Sequence, residues 1–202
     1  PFSSIEPMFD GRFKSEIERY VRPVGESLRR TGLSPDHFTV LGLCVAGAAA
    51  VAIGAGKMQL GLLLVICSAL PDLLDGALAK ASNSASQRGA FFDSVVDRVS
   101  DSLLFGGVAW FYASSNSPQF SIVPFAILGA SLIISYERAK AESLGLYAKG
   151  GLMERAERII LLCFGLLFDS LLKWVMVVML VLVVMTAVQR FVKVWKQAAV
   201  AP

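Results

Sequence analysis

The sequence predicts an all-α integral membrane protein: six transmembrane helices preceded by an amphipathic surface helix. Three observations predict it. First, 55% of the 202 residues are hydrophobic, only 17% are charged, and the mean hydropathy is +0.62, too apolar for an ordinary soluble domain. Second, six apolar stretches, 38–56, 58–79, 90–113, 120–141, 156–171 and 173–193, come near or reach the length needed to cross a hydrocarbon core, about 17–25 residues. Third, placing the intervening loops alternately on two sides gathers 17 of the 19 Lys and Arg residues on one side and leaves only Lys57 and Lys173 on the other. That asymmetry puts both chain termini at the cytoplasmic face of an inner membrane.

The elements follow in chain order. Within 11–31, charges alternate with Phe13, Ile17, Tyr20, Val21, Val24 and Leu28, close to the i, i+3/i+4, i+7 rhythm of an amphipathic helix lying on the membrane surface. Residues 1–32 therefore form a juxtamembrane segment, 33–196 the six-helix domain and 197–202 a tail. Gly32-Leu33-Ser34-Pro35-Asp36 supplies a break, a cap and a first-turn proline that open the first span. Its Ala- and Gly-rich stretch 42–56 suits close helix packing. Asp169 and Lys173 bracket a tight turn before the sixth span.

Several function classes lose their residues. His37 is the only histidine, and it reads as a headgroup-facing residue, which leaves no His-based nucleophile activation. Cys44, Cys67 and Cys163 sit singly in apolar runs without zinc-ligand spacing. Residues 1–30 are polar and do not read as a cleavable signal peptide, and nothing points to nucleic acid as a partner.

The chemistry concentrates in 26 residues, Asp72 to Asp97, which place four carboxylates between apolar stretches. Asp72 and Asp75 are three apart at the end of the second span; Asp93 and Asp97 are four apart at the start of the third. Each spacing puts a pair on one helix face. The polar stretch 81–88 can turn the chain so that the pairs face each other at the cytoplasmic side. An ionised group at membrane depth costs about 2.5–3.5 kcal/mol on insertion scales, so converging acids call for cations. Oxygen donors suit two Mg²⁺ or Mn²⁺ ions, which leave positions open for substrate phosphates. Gly76, Ala79 and Gly89 lack bulk and let a ligand approach closely. A polar helix pair bridged to Arg88 and Arg98 would be the purely structural alternative.

The run Asp72-x-x-Asp75-Gly76-x-x-Ala79-Lys80, eight residues, Gly89-x-x-x-Asp93-x-x-x-Asp97 closely resembles the signature of the CDP-alcohol phosphotransferases. One position departs: Lys80 stands where that family has arginine, which keeps the charge but loses the planar fork. The resemblance implies a six-helix membrane enzyme that moves a phosphoalcohol group from a CDP-linked donor to an alcohol and releases CMP. By it, Asp72, Asp75 and Asp93 are metal ligands, and Asp97 is the general base and a further metal ligand. Asp75, Gly76, Ala79, Lys80 and Gly89 lie against the donor nucleotide, with Asp36 and Thr39 near its phosphates.

A second cluster is basic: Ser135-Tyr136-Glu137-Arg138-Ala139-Lys140, then Gly150-Gly151-x-x-Glu154-Arg155-x-Glu157-Arg158, then Gln189-Arg190. All three pieces reach the membrane level of the carboxylates, and converging guanidinium groups there indicate an acceptor that itself carries a phosphate. These segments resemble those of the bacterial phosphatidylinositol-phosphate synthases. That resemblance implies CDP-diacylglycerol as donor and inositol 1-phosphate as acceptor, with Ser135, Arg138, Lys140, Arg155 and Arg190 holding the acceptor's phosphate, and a homodimer. The alternatives are a phosphatidylglycerophosphate synthase using glycerol 3-phosphate, an intramembrane divalent-cation transporter, and a membrane scaffold.

Overall fold

The structure is a computed structural model that describes residues 35–69, 87–148 and 150–199. The surface segment 11–31 and the motif residues Asp72, Asp75, Gly76, Ala79 and Lys80 fall outside these residues. Among the described residues the chain is wholly helical. α1 is Pro35–Gly54, α2 Met58–Ala69, α3 Gln87–Ala113, α4 Ile122–Ser143, α5 Arg155–Leu167 and α6 Leu172–Ala198. Short 3-10 turns, Pro118–Ser121 and Asp169–Leu171, lead into α4 and α6.

Among the described residues, three helical stretches are long and apolar enough to cross a membrane by length and composition: His37–Gly54, Pro118–Ser143 and Asp169–Ala198. The six expected spans divide for physical reasons. α3 is long enough, but its first half carries Arg88, Asp93, Asp97, Arg98 and Asp101, which dilute its apolar character. α5 has 13 residues, about 20 Å at 1.5 Å per residue, shorter than a bilayer core. α6 continues past Lys193 to Ala198, well beyond an expected end at 193.

The exterior of the shafts is apolar, as a lipid surrounding requires. Phe125, Ile160, Trp174 and Val181 are each more than half exposed, an apolar surface that water does not tolerate over so large an area. The interior is filled by Ile53, Leu104, Phe105, Ile127, Leu162, Leu166, Met176 and Met179, all at or below 2% exposure. α1 packs mainly on α3, and α6 packs on α4 and α5.

The α1–α3 contact is made by small residues. Ala46 and Ala49 are buried, and a Cβ built on Gly107 would lie 2.5 Å from the Ala50 carbonyl oxygen and 2.8 Å from its Cα. Backbone meets backbone there, as the Ala and Gly content of 42–56 predicts. Gly107→Ala is expected to lower stability by about 1–3 kcal/mol through overpacking, read as a lower thermal unfolding midpoint in detergent. An unchanged midpoint would mean that the helices stand farther apart than this.

Gly145 ends α4. With φ +72 it takes the left-handed conformation, its N–H bonds the Glu142 carbonyl at 3.1 Å, and the Leu146 N–H reaches the Ala141 carbonyl at 2.8 Å. This paired closure satisfies the last carbonyls of the helix and turns the chain towards α5. α6 then pins the loop. The Gln197 side chain accepts from the Tyr147 N–H at 3.0 Å and donates to the Tyr147 carbonyl at 2.8 Å, while Lys193 Nζ sits 4.6 Å from the Tyr147 ring centroid. The loop so held delivers Glu154 and Arg155 to the start of α5.

Candidate active site

Asp93, Asp97 and Asp101 follow one another at four-residue intervals on α3, so a single face of that helix carries three carboxylates. The first turn of α5 brings Arg155 and Arg158 against that face. Arg155 Nη1 lies 2.8 Å from Asp97 Oδ1, and its Nε lies 3.7 Å from Asp101 Oδ1. Arg158 Nη2 donates to Asp101 Oδ2 at 2.6 Å and its Nη1 to the Met153 carbonyl at 3.2 Å. Asp97 also meets Arg98 Nη1 at 3.4 Å.

Burial grades this network from inside to outside. The side chains of Arg158 and Asp101 are 4% and 6% exposed, whereas Asp97 is 19% and Arg155 30% exposed. The inner pair is therefore firmly fixed: separating two buried charges by deleting one typically costs about 3–5 kcal/mol. The outer pair borders a cavity and is reachable by a ligand.

Arg190, on α6, is 4% exposed. Its Nη1 donates to the Ile134 carbonyl at 3.0 Å, and its Nη2 donates to the Gly150 carbonyl at 3.0 Å and to Glu154 Oε1 at 3.1 Å. Glu154 Oε1 in turn accepts the Gly150 N–H at 3.1 Å. Gly150 has φ +92, a backbone conformation open to glycine and strained for other residues. One buried guanidinium thus ties α4, α6 and the α4–α5 loop together.

Two adjoining cavities lie on this framework. The first, about 220 Å³, is lined by Asp97, Asp101, Ser135, Arg138, Arg155 and Arg190, among others. The second, about 710 Å³ and more open, lies between α3 and α4 and is bordered by Asp93, Asp97, Ser135, Tyr136 and Arg138. Asp97, Arg98, Ser135 and Arg138 border both. Carboxylates and guanidinium groups both line this space, which allows a cation and a phosphate to be held next to each other.

The expected site residues sort accordingly. Asp93, Asp97, Ser135, Arg138, Arg155 and Arg190 come together at the cavities. Arg138 also pairs with Glu142 at 3.0 Å. Lys140 is exposed and lines neither cavity. Thr39 is buried in α1, and Gly89 is half-buried in the first turn of α3. Asp36 belongs to the first turn of α1, though its side chain is outside the described set, as are Asp72, Asp75, Gly76, Ala79 and Lys80. Among the described residues no three His, Cys, Asp or Glu residues gather into a metal cluster; Asp93 and Asp97 are two oxygen donors of the expected four.

Asp101 is the residue the sequence reading missed, and Arg158, part of the basic cluster, was given no role of its own. The signal was present: Asp101 extends the 93, 97 spacing by one further turn, and Arg158 follows Arg155 by three.

A family model described as CDP-alcohol phosphatidyltransferase matches residues 33–188. The archaetidylinositol phosphate synthase of Methanothermobacter thermautotrophicus is 33% identical over 191 residues, which cover 92% of this chain and 94% of that protein. The crystal structure of the Mycobacterium tuberculosis phosphatidylinositol phosphate synthase with CDP-DAG bound superposes with a TM-score of 0.84 at 33% identity, covering 91% of this chain and 98% of the other. The same enzyme in complex with manganese and citrate gives a TM-score of 0.83 at 33% identity, covering 90% and 92% of the two chains.

Proposed function

Because the chain belongs to the CDP-alcohol phosphatidyltransferase family and is a transferase, we propose that it moves the phosphatidyl group of CDP-diacylglycerol to inositol 1-phosphate, giving phosphatidylinositol phosphate and CMP. One observation carries the choice of acceptor class. Arg155, a cation able to bind a phosphate, is in direct contact at 2.8 Å with Asp97, the carboxylate in the position of the base. An acceptor whose phosphate is taken by Arg155 thereby brings its hydroxyl groups to Asp97.

The steps by this chain's residues are these. Arg155 and Arg138 bind the acceptor's phosphate, Ser135 donates a hydrogen bond beside them, and Arg190 adds positive charge from the cavity wall while holding the loop. Asp97 accepts the proton of the acceptor hydroxyl. That oxygen bonds to the phosphorus attached to diacylglycerol, and the bond from this phosphorus to the bridging oxygen of the diphosphate breaks, so that CMP leaves. Lys80, Gly76, Ala79, Gly89, Asp36 and Thr39 accommodate the donor nucleotide and its phosphates. Asp93 and Asp97, with Asp72 and Asp75, would hold two Mg²⁺ or Mn²⁺ ions, which neutralise the donor's diphosphate and the charge that builds on the leaving group. An all-oxygen donor set on one helix face beside an open cavity fits such ions.

The reading includes six membrane-crossing helices, both termini and the site at the cytoplasmic side, an amphipathic helix over 11–31 on the membrane surface, and a homodimer. The positive-inside asymmetry of 17 cations against two supports the orientation.

The acceptor is tested on purified enzyme with labelled CDP-diacylglycerol and either inositol 1-phosphate or glycerol 3-phosphate. CMP release and a phosphatidylinositol phosphate product are expected with the first only. Turnover with glycerol 3-phosphate alone would replace this reading by a phosphatidylglycerophosphate synthase.

A further inference from the structure

We infer that Asp101 is a positioning residue for acceptor recognition: it orients Arg155 towards the acceptor's phosphate, and it acts through that arginine. The inference deepens the proposed reaction and rests on it. Asp101 is 4% exposed and lies one helical turn from Asp97, on the side away from Asp93. Its two oxygens divide between two guanidinium groups of the next element. Oδ2 takes Arg158 at 2.6 Å, and Oδ1, which has no hydrogen-bond partner, stands 3.7 Å from Arg155 Nε.

The two arginines differ in what they have left to offer. Arg158 is spent on Asp101 and the Met153 carbonyl and is 4% exposed in its side chain, so it serves to hold Asp101 still. Arg155 keeps a 30% exposed side chain and turns its Nη1 to Asp97. A guanidinium has two usable edges, and a carboxylate against the Nε edge leaves the Nη edge facing the cavity. When an acceptor's phosphate draws Nη1 away from Asp97, Asp101 stays in place as a contact that directs Arg155. A carboxylate locked by a buried ion pair suits this task, because a positioning group must itself be immobile.

The test measures the KM of both substrates and kcat on purified protein for wild type, Asp101→Asn, Arg155→Ala and the Asp101→Asn/Arg155→Ala double variant. Asp101→Asn is expected to raise the acceptor KM about tenfold, the loss of one charge-assisted contact, and to leave the donor KM within twofold. In the Arg155→Ala background, Asp101→Asn is expected to add nothing to the acceptor KM. An acceptor KM that stays within twofold of wild type, or a further multiplicative loss in the Arg155→Ala background, overturns the inference and leaves Asp101 a purely structural residue.

Asp101→Asn strands Arg158 as a buried charge. Asp101→Asn/Arg158→Gln, which removes both members of the pair, is therefore measured beside it and is expected to show the same rise in acceptor KM. Wild-type turnover of glycerol 3-phosphate in place of inositol 1-phosphate would overturn the acceptor assignment alone. The Asp101 comparison is then made with glycerol 3-phosphate and stands or falls on the same two outcomes. A wild-type enzyme that uses neither phosphorylated acceptor overturns both.

Discussion

Asp97→Asn is expected to lower kcat by about 10²–10⁴-fold, the range that general-base catalysis supplies, with the protein still folded. Asparagine matches the shape of aspartate but takes no proton from an alcohol at neutral pH. It also withdraws one negative charge from a face where Asp93 and Asp97 stand one turn apart. Folding is spared because Asp97 and its partner Arg155 are 19% and 30% exposed at a cavity wall, and the arginine left behind can be solvated. CMP release measured at saturating donor and acceptor checks the outcome. A variant within tenfold of wild type would remove Asp97 from the position of base.

Stripping divalent ions is expected to bring CMP release to background, and Mg²⁺ or Mn²⁺ added back is expected to restore it. The reason is electrostatic. Carboxylates that converge near a low-dielectric region do not all stay ionised without a neutralising charge, and the donor adds a diphosphate to the same space. Arg155, Arg98 and Arg158 are engaged with Asp97 and Asp101. Turnover that persists undiminished in excess EDTA, with metal content verified by elemental analysis, would dismiss the two-ion mechanism.

Much of this was legible in sequence. The apolar runs marked all six described helices to within three residues of their starts, and the small residues of 42–56 announced close helix packing, which α1 makes with α3. Arg155 and Asp97, 58 residues apart, were both singled out, and they meet at 2.8 Å. The failures have physical causes. Lys140 follows Arg138 by two residues, about 200° around a helix, so the face that brings Arg138 to the cavity turns Lys140 away. Arg190 was expected to face inward and does, but its principal partners are the carbonyls of Ile134 and Gly150, and backbone acceptors leave no mark in a residue pattern. Asp101 and Arg158 blended into the general excess of charge around the site. Their pairing spans 57 positions and depends on the register of α5 against α3, which no local spacing encodes.

The joint at Gly107 and Ala50 has a mechanical consequence. Where main chain rests on main chain, there are no rotamers to reshuffle and little compliance to exploit, so α1 and α3 behave as a single strut. Thr39 and Asp97 both precede that joint by about three helical turns on their own helices, so the strut fixes the one against the other.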